Sequence, residues 1–195
     1  DPEQTHVIYP GSGALLDNSA AKANVTVSTT SNNLTNAFDG NASYGLKINS
    51  FGNISINNPT ASNNFRSGMS LENSTSTGSV TVIDKNADLN HAIANNGWSG
   101  LSLDTLGNIV LSGLTARENS WDGFYLNNCQ YDFDLDGCLG RGIVTLTNLE
   151  STQNGSGMYV NSYGNISLTN VYGDDNNYGI TLNNFMHLFY SLGCK

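Results

Sequence analysis

The sequence predicts an all-β protein in which short parallel strands stack as a solenoid. A phrase of glycine, apolar, variable, apolar and polar residues recurs six times, and its apolar pair has the two-residue spacing of a strand. The glycines that open it are 23, 32, 23, 34 and 22 residues apart. A strand period of this length, with no helical pattern, is typical of a solenoid.

A second apolar strand phrase follows the first after one short turn. If successive copies of each phrase stack, their apolar residues form columns of buried side chains. The variable residue between the two apolar residues of the first phrase then forms a column that faces outward. The first phrase supplies the inward columns Leu46, Met69, Leu101, Phe124, Met158, Ile180 and Ile48, Leu71, Leu103, Leu126, Val160, Leu182; the second supplies Val25, Val27, Ile54, Ile56, Val80, Val82, Ile109, Leu111, Val144, Leu146, Ile166 and Leu168; the outward column is Lys47, Ser70, Ser102, Tyr125, Tyr159 and Thr181.

Composition narrows the class of partner. The formal charge is −9, with only 7 Lys plus Arg, which argues against nucleic acid and anionic membranes as partners. No apolar run approaches the ~18 residues of a membrane helix. Asparagines that recur at the predicted turns favour hydrogen-bonded ladders between repeats over N-glycosylation sites.

The repeats suggest a family as well as a fold class. Leucine-rich repeats have similar periods, but their consensus and helical segment are absent. The glycine-apolar-variable-apolar-asparagine phrase, followed by Gly-Asn-Ile-x-Leu-x-Asn, resembles right-handed parallel β-helix repeat proteins, most closely bacterial Asn/Gly/Thr-rich extracellular surface proteins. This resemblance implies about six to seven rungs. We expect residues 23–195 to form the β-helix and residues 1–22 to form an N-terminal arm or cap, with Thr5–Tyr9 as one strand.

A long loop interrupts the fourth rung. Asp132, Asp134 and Asp136 alternate before a glycine, as at the start of a calcium loop, whereas the twelfth position is not the required glutamate. The loop is therefore either a calcium site or a solvated acidic loop, and no other cofactor is expected. A disulfide between Cys129 and Cys138 would join its ends, which an extracellular location allows.

The two ends of the chain share one phase of the repeat. Cys138 lies ten residues after Asn128, and Cys194 lies ten residues after Asn184, so a strand like the first repeat strand would come next. Three interpretations stay open: head-to-tail stacking of copies into a fibre, a segment of a longer β-helix, and an irregular cap over the end. In the first, the assembly interface comprises Val25, Val27, Met186, Leu188, Phe189, Tyr190, Leu192 and Cys194.

Aromatic residues suggest a second kind of function. Trp98 and Trp121 occupy equivalent loops, and Tyr125 and Tyr159 share the outward column. They could contact a glycan, or the tryptophans could simply cover a corner of the coil. We expect no enzyme, because the outward column lacks the carboxylates of a polysaccharide lyase or hydrolase. The sequence thus favours an extracellular or cell-surface fibre subunit whose partner is itself, with an adhesin or carbohydrate-binding module as the alternative.

Overall fold

The computed structural model describes residues 11–31, 33–86, 92–132 and 137–184. These residues form nineteen strands and no helix, so the all-β prediction is confirmed for the part of the chain described. The strands are β1 Ala14–Asn18, β2 Val25–Val27, β3 Asn36–Ala37, β4 Leu46–Ser50, β5 Ile54–Asn57, β6 Pro59–Thr60, β7 Met69–Asn73, β8 Val80–Ile83, β9 Ala92–Ala94, β10 Leu101–Thr105, β11 Ile109–Ser112, β12 Thr115–Arg117, β13 Asp122–Asn127, β14 Tyr131–Asp132, β15 Gly137–Cys138, β16 Val144–Thr152, β17 Ser156–Ser162, β18 Ile166–Asp174 and β19 Tyr178–Asn184.

Nearly all strand pairing is parallel and joins strands from successive repeats. Sheet 1 has the order β1-β4-β7-β10-β13-β17-β19. Sheet 2 contains β2, β5, β8, β11 and the first halves of β16 and β18. The second half of β16 pairs with β12 on one side and with the second half of β18 on the other, and β9 lies next to β12. The short strands β3 and β6 pair in parallel as well, whereas β14 and β15 form an antiparallel pair.

The described residues therefore pass through the sheets in seven layers. Each layer comprises one strand of sheet 1 and the strands that follow it: β1–β3, β4–β6, β7–β9, β10–β12, β13–β16, β17–β18 and, in the seventh layer, β19. Layers are one inter-strand spacing apart, about 4.8 Å.

The predicted columns are confirmed by strand register. Met69 pairs with Leu46 and Leu101, and Phe124 pairs with Leu101 and Met158. In the interior layers these inward side chains are buried and belong to one hydrophobic core. Lys47 lies in the outward column as predicted, yet it is buried, and its Nζ lies 5.2 Å from the centroid of the Tyr44 ring.

A ladder of asparagine side chains runs through the corner before sheet 1, as the sequence predicted. In each step the Nδ2 of one asparagine donates to the Oδ1 of the next, at 2.8–3.0 Å, and most members also donate to a backbone carbonyl of the preceding corner. The ladder consists of Asn41, Asn64, Asn96, Asn119, Asn154 and Asn176. It satisfies buried polar groups while fixing the height of each layer.

The glycine at the start of each sheet 1 strand has a packing reason. A Cβ on any of six of them would lie 2.6–2.8 Å from the carbonyl oxygen of the corresponding glycine in the next layer, closer than real Cβ atoms come. These six are Gly13, Gly45, Gly68, Gly100, Gly123 and Gly157. At the seventh member of the column, Gly179, no atom of the residues that the structure describes lies within 4 Å of the same position.

Strand β1 was not predicted. The sequence analysis placed it within the N-terminal arm, but it pairs in parallel with β4 and continues both inward columns through Ala14 and Leu16. The signal was present, because Gly13 lies 32 residues before Gly45, the same spacing as that between Gly68 and Gly100. The apolar residue Leu15 at the outward position breaks the alternation of apolar and polar residues, so the pattern did not predict a strand. The predicted strand Thr5–Tyr9 lies outside the described residues.

Candidate functional site

Four side chains from four successive layers form a continuous stack beside sheet 1. The guanidinium of Arg66 lies over the rings of Tyr44 and Trp98, at 5.4 and 4.9 Å from their centroids. The ring of Trp98 stacks on Trp121, with centroids 5.3 Å apart and planes inclined by 4°. The sequence predicted equivalent loops for the two tryptophans, whereas the roles of Tyr44 and Arg66 emerge only from the structure.

The stack ends at Trp121 because the residue at the equivalent position of the next layer has no side chain. There the chain continues through Gly155, and the backbone N–H of Ser156 donates to the carbonyl of Trp121. Trp121 is 57% exposed. One face of its indole is therefore covered by Trp98, while the other faces the layer that holds Gly155.

The predicted tyrosine pair also stacks. Tyr125 and Tyr159 are register partners in sheet 1, with ring centroids 5.7 Å apart and planes inclined by 4°. The Tyr159 hydroxyl accepts a hydrogen bond from Asn183 Nδ2 at 3.1 Å, which holds this end of the pair. Burial raises the pKa of Tyr125, and the charge of Asp104 raises it further.

Carboxylates occupy a second outward column that the sequence analysis overlooked. Register places Asp17, Asn49, Glu72, Asp104 and Asn127 in successive layers of sheet 1. Burial raises the pKa of Asp104, Glu72 raises it further, and a 2.8 Å hydrogen bond from Asn127 Nδ2 opposes the shift. The expectation of no enzyme rested in part on the first outward column and did not consider this second one.

Replacing Asp104 by asparagine is expected to stabilise the protein at neutral pH. Because the folded state raises the pKa above its ordinary value of 3.8, the folded protein binds more protons and loses stability as pH rises through that window. The variant lacks this penalty, so its advantage should disappear below about pH 3.8. Urea unfolding of both proteins between pH 3 and 8 measures this difference, and parallel stability curves would contradict it.

The long loop of the fifth layer contains both predicted cysteines and the predicted calcium ligands. Cys129 and Cys138 are joined by a disulfide, with Cα atoms 4.9 Å apart, so the two ends of the loop are held together. Asp132 is the last residue of β14 within this loop, but Asp134 and Asp136 lie outside the described residues. Among residues the structure describes, no group of three or more His, Cys, Asp or Glu side chains could hold a metal ion. Calcium binding stays a prediction.

Two asparagines in N-glycosylation sequons make hydrogen bonds inside the fold. Asn154 is a buried member of the asparagine ladder. Asn73 is also buried and donates from Nδ2 to the carbonyls of Gly52 and Gly78. A glycan on either nitrogen would remove these hydrogen bonds and require space inside the fold.

The predicted assembly residues divide between described and undescribed parts of the chain. Val25 and Val27 lie on β2, at the edge of sheet 2, and pack partly against the core. The others lie outside the described residues: Met186, Leu188, Phe189, Tyr190, Leu192 and Cys194.

Comparisons with known proteins assign no family to these features. No protein-family model, no curated protein and no solved structure matches the chain. The described residues contain no helix long and apolar enough to cross a membrane.

Proposed function

We propose that this chain is a right-handed parallel β-helix that acts as an extracellular structural subunit, and that its copies stack head to tail into a surface fibre. The seven layers are the rungs of that helix. The Cys129–Cys138 disulfide supports a location outside the cell, where disulfides persist. Enzymatic activity is not part of this proposal.

Gly179 is the observation that carries the proposal. At the six preceding positions of its column, the carbonyl of the next layer leaves no room for a side chain. Gly179 follows the same pattern although no atom of the described residues lies within 4 Å of its Cβ position, and its φ is not in the left-handed region that favours glycine. If a further layer stacked at this edge, its carbonyl would leave no room for a side chain at Gly179, just as at the other six glycines of the column.

The edge around Gly179 also exposes side chains of the buried columns. Ile180 is 36% exposed and Leu182 is 43% exposed, whereas their partners in the preceding layer, Met158 and Val160, are fully buried. Leu168 of β18 is exposed as well. Apolar side chains on an unpaired parallel strand favour pairing with another strand.

A second copy offers a matching surface at its opposite edge. There β1 and β2 are the outermost described strands of sheets 1 and 2, and Gly13 of the same glycine column directly precedes β1. Pairing of β19 with β1 would set Ile180 over Ala14 and Leu182 over Leu16. A contact of this kind joins different surfaces and does not close, so it propagates as a fibre.

Gly179→Val tests this proposal without disturbing the monomer. A Cβ at this position meets no atom of the described residues within 4 Å, but a valine would collide with the backbone of a stacked copy. We expect wild-type protein to form unbranched fibres in electron micrographs, and the variant to stay monomeric with an unchanged urea midpoint. Thr181→Val is the matched control, because it adds valine to the same strand on the outward side and should leave the fibres intact.

Two outcomes would overturn the proposal. Wild-type protein that remains monodisperse by analytical ultracentrifugation would show that the edge is covered in some other way, such as by a further stretch of the same chain. Fibres formed equally well by Gly179→Val would show that assembly uses another surface.

A further inference from the structure

A polar cleft lies at the corner where the Tyr44–Trp121 stack ends. Its volume is about 490 Å³, and it extends across layers 4–5, 5–6 and 6–7 at the turn into sheet 1. Glu118 and Ser120 come from the first of these corners, Gln153 and Gly155 from the second, and Asp175 and Asn177 from the third. Three corners separated by two layer spacings span about 10 Å.

Trp121 adjoins this cleft through the backbone. It follows Ser120 directly, and its Cα lies 3.2 Å from the position that a Cβ on Gly155 would occupy. The cleft thus has a lining of hydroxyl, amide and carboxylate groups, and the residue that adjoins it carries an indole that is 57% exposed. Polar groups that fix orientation beside an aromatic surface are typical of a site for a small polar ligand.

The backbone at this corner favours a binding role for its side chains. The same corner position has positive φ in every layer from the first to the sixth. Layers 1–3 place Gly40, Asn63 and Asn95 there, which are residues that adopt this conformation readily. The cleft instead has Glu118 and Gln153, with φ of 56° in both, for which the conformation is costly.

The chemistry of the lining selects the class of ligand. Glu118 and Asp175 repel anions, and the chain has a net charge of −9, so phosphate and sulfated or carboxylated glycans are disfavoured. Among the described residues, no apolar side chain lines the cleft, which disfavours a hydrophobic peptide. A neutral sugar fits both the polar lining and the neighbouring indole, because its hydroxyls can donate to carboxylates and amides while its C–H face covers an indole.

We propose that the cleft lined by Glu118, Ser120, Gln153, Asp175 and Asn177 binds a neutral oligosaccharide, with one sugar ring stacked on the open face of Trp121. The site lies on a single subunit. Binding there needs no contact between copies, so it holds or fails separately from fibre assembly.

Tryptophan fluorescence tests the site directly, since Trp98 and Trp121 are the two tryptophans of the chain. Monomeric full-length protein is titrated with cellohexaose, xylohexaose, mannohexaose and chitohexaose, and with hexagalacturonate as an anionic probe. We expect at least one neutral hexasaccharide to bind with a blue shift, and hexagalacturonate to bind more weakly. Trp121→Ala should weaken binding about tenfold or more, as loss of an aromatic stacking surface implies.

Two further variants separate binding from folding, with affinity measured by calorimetry. Gln153→Gly should weaken binding while keeping or raising the urea midpoint, because glycine adopts positive φ without steric cost. Phe65→Ala is the matched control, since Phe65 is an exposed aromatic residue outside the cleft and its loss should leave the affinity unchanged. The proposal is overturned if no neutral hexasaccharide binds at millimolar concentration, or if Trp121→Ala binds as the wild type does.

Discussion

Asn119→Ala is expected to destabilise the protein by about 3–5 kcal/mol, because it removes one member from the middle of the buried asparagine ladder. The Asn119 Oδ1 accepts from the backbone N–H and the Nδ2 of Asn96, at 3.2 and 2.8 Å. Its own Nδ2 donates to the Ile93 carbonyl at 3.0 Å and to Asn154 Oδ1 at 2.9 Å. Alanine leaves several of these buried groups unpaired, and each costs roughly 1–3 kcal/mol.

Urea unfolding followed by circular dichroism measures this loss. Asn108→Ala is the matched control, because Asn108 also joins two layers, through a 2.9 Å hydrogen bond from the N–H of Ile143 to its Oδ1. That hydrogen bond is exposed, so water replaces the lost oxygen and the cost should stay below about 1 kcal/mol. Equal destabilisation by the two variants would show that burial of the ladder is not what makes it important.

Phe124→Ala is expected to cost about 3–5 kcal/mol through the cavity that it leaves. Phe124 is fully buried in the middle of sheet 1, between Leu101 and Met158 of the neighbouring layers. The strands on both sides are fixed by backbone pairing, so the surrounding layers have little freedom to close the space. The free energy of unfolding in urea is the measurement.

Tyr125→Ala provides the comparison for this core substitution. Tyr125 is the next residue of the same strand, but its side chain points outward and stacks on Tyr159. Its loss should cost about 1 kcal/mol, the scale of one partly exposed aromatic pair. A larger loss for Tyr125→Ala than for Phe124→Ala would contradict the assignment of inward and outward faces.

Much of the fold could be predicted because the repeat depends on residues that are close together in the sequence. Glycine before an apolar pair two residues apart predicts a strand, and repetition of that phrase predicts which side chains share a column. Met69, Leu101 and Phe124 were placed correctly on this basis alone. Strand β1 was missed because Leu15 breaks the alternation of apolar and polar positions.

Less of the candidate site could be predicted, because its residues belong to different layers. The sequence places Trp98 and Trp121 in equivalent loops, but it does not show that Arg66 lies over Trp98. Nor does it show that Gly155 leaves one face of Trp121 open. These facts depend on the height of each layer and on the direction of each side chain at a corner.

The sequence by itself determined most of the longer strands, their inward and outward faces and the recurrence of turn asparagines, since each follows from the spacing of residues close together in the chain. Only the tertiary structure decided which polar groups meet. Glu118, Gln153 and Asp175 are 35 and 22 residues apart, and backbone pairing between layers brings them to one cleft. Likewise, only the tertiary structure shows that Gly179, unlike the other glycines of its column, has no atom of the described residues within 4 Å of its Cβ position.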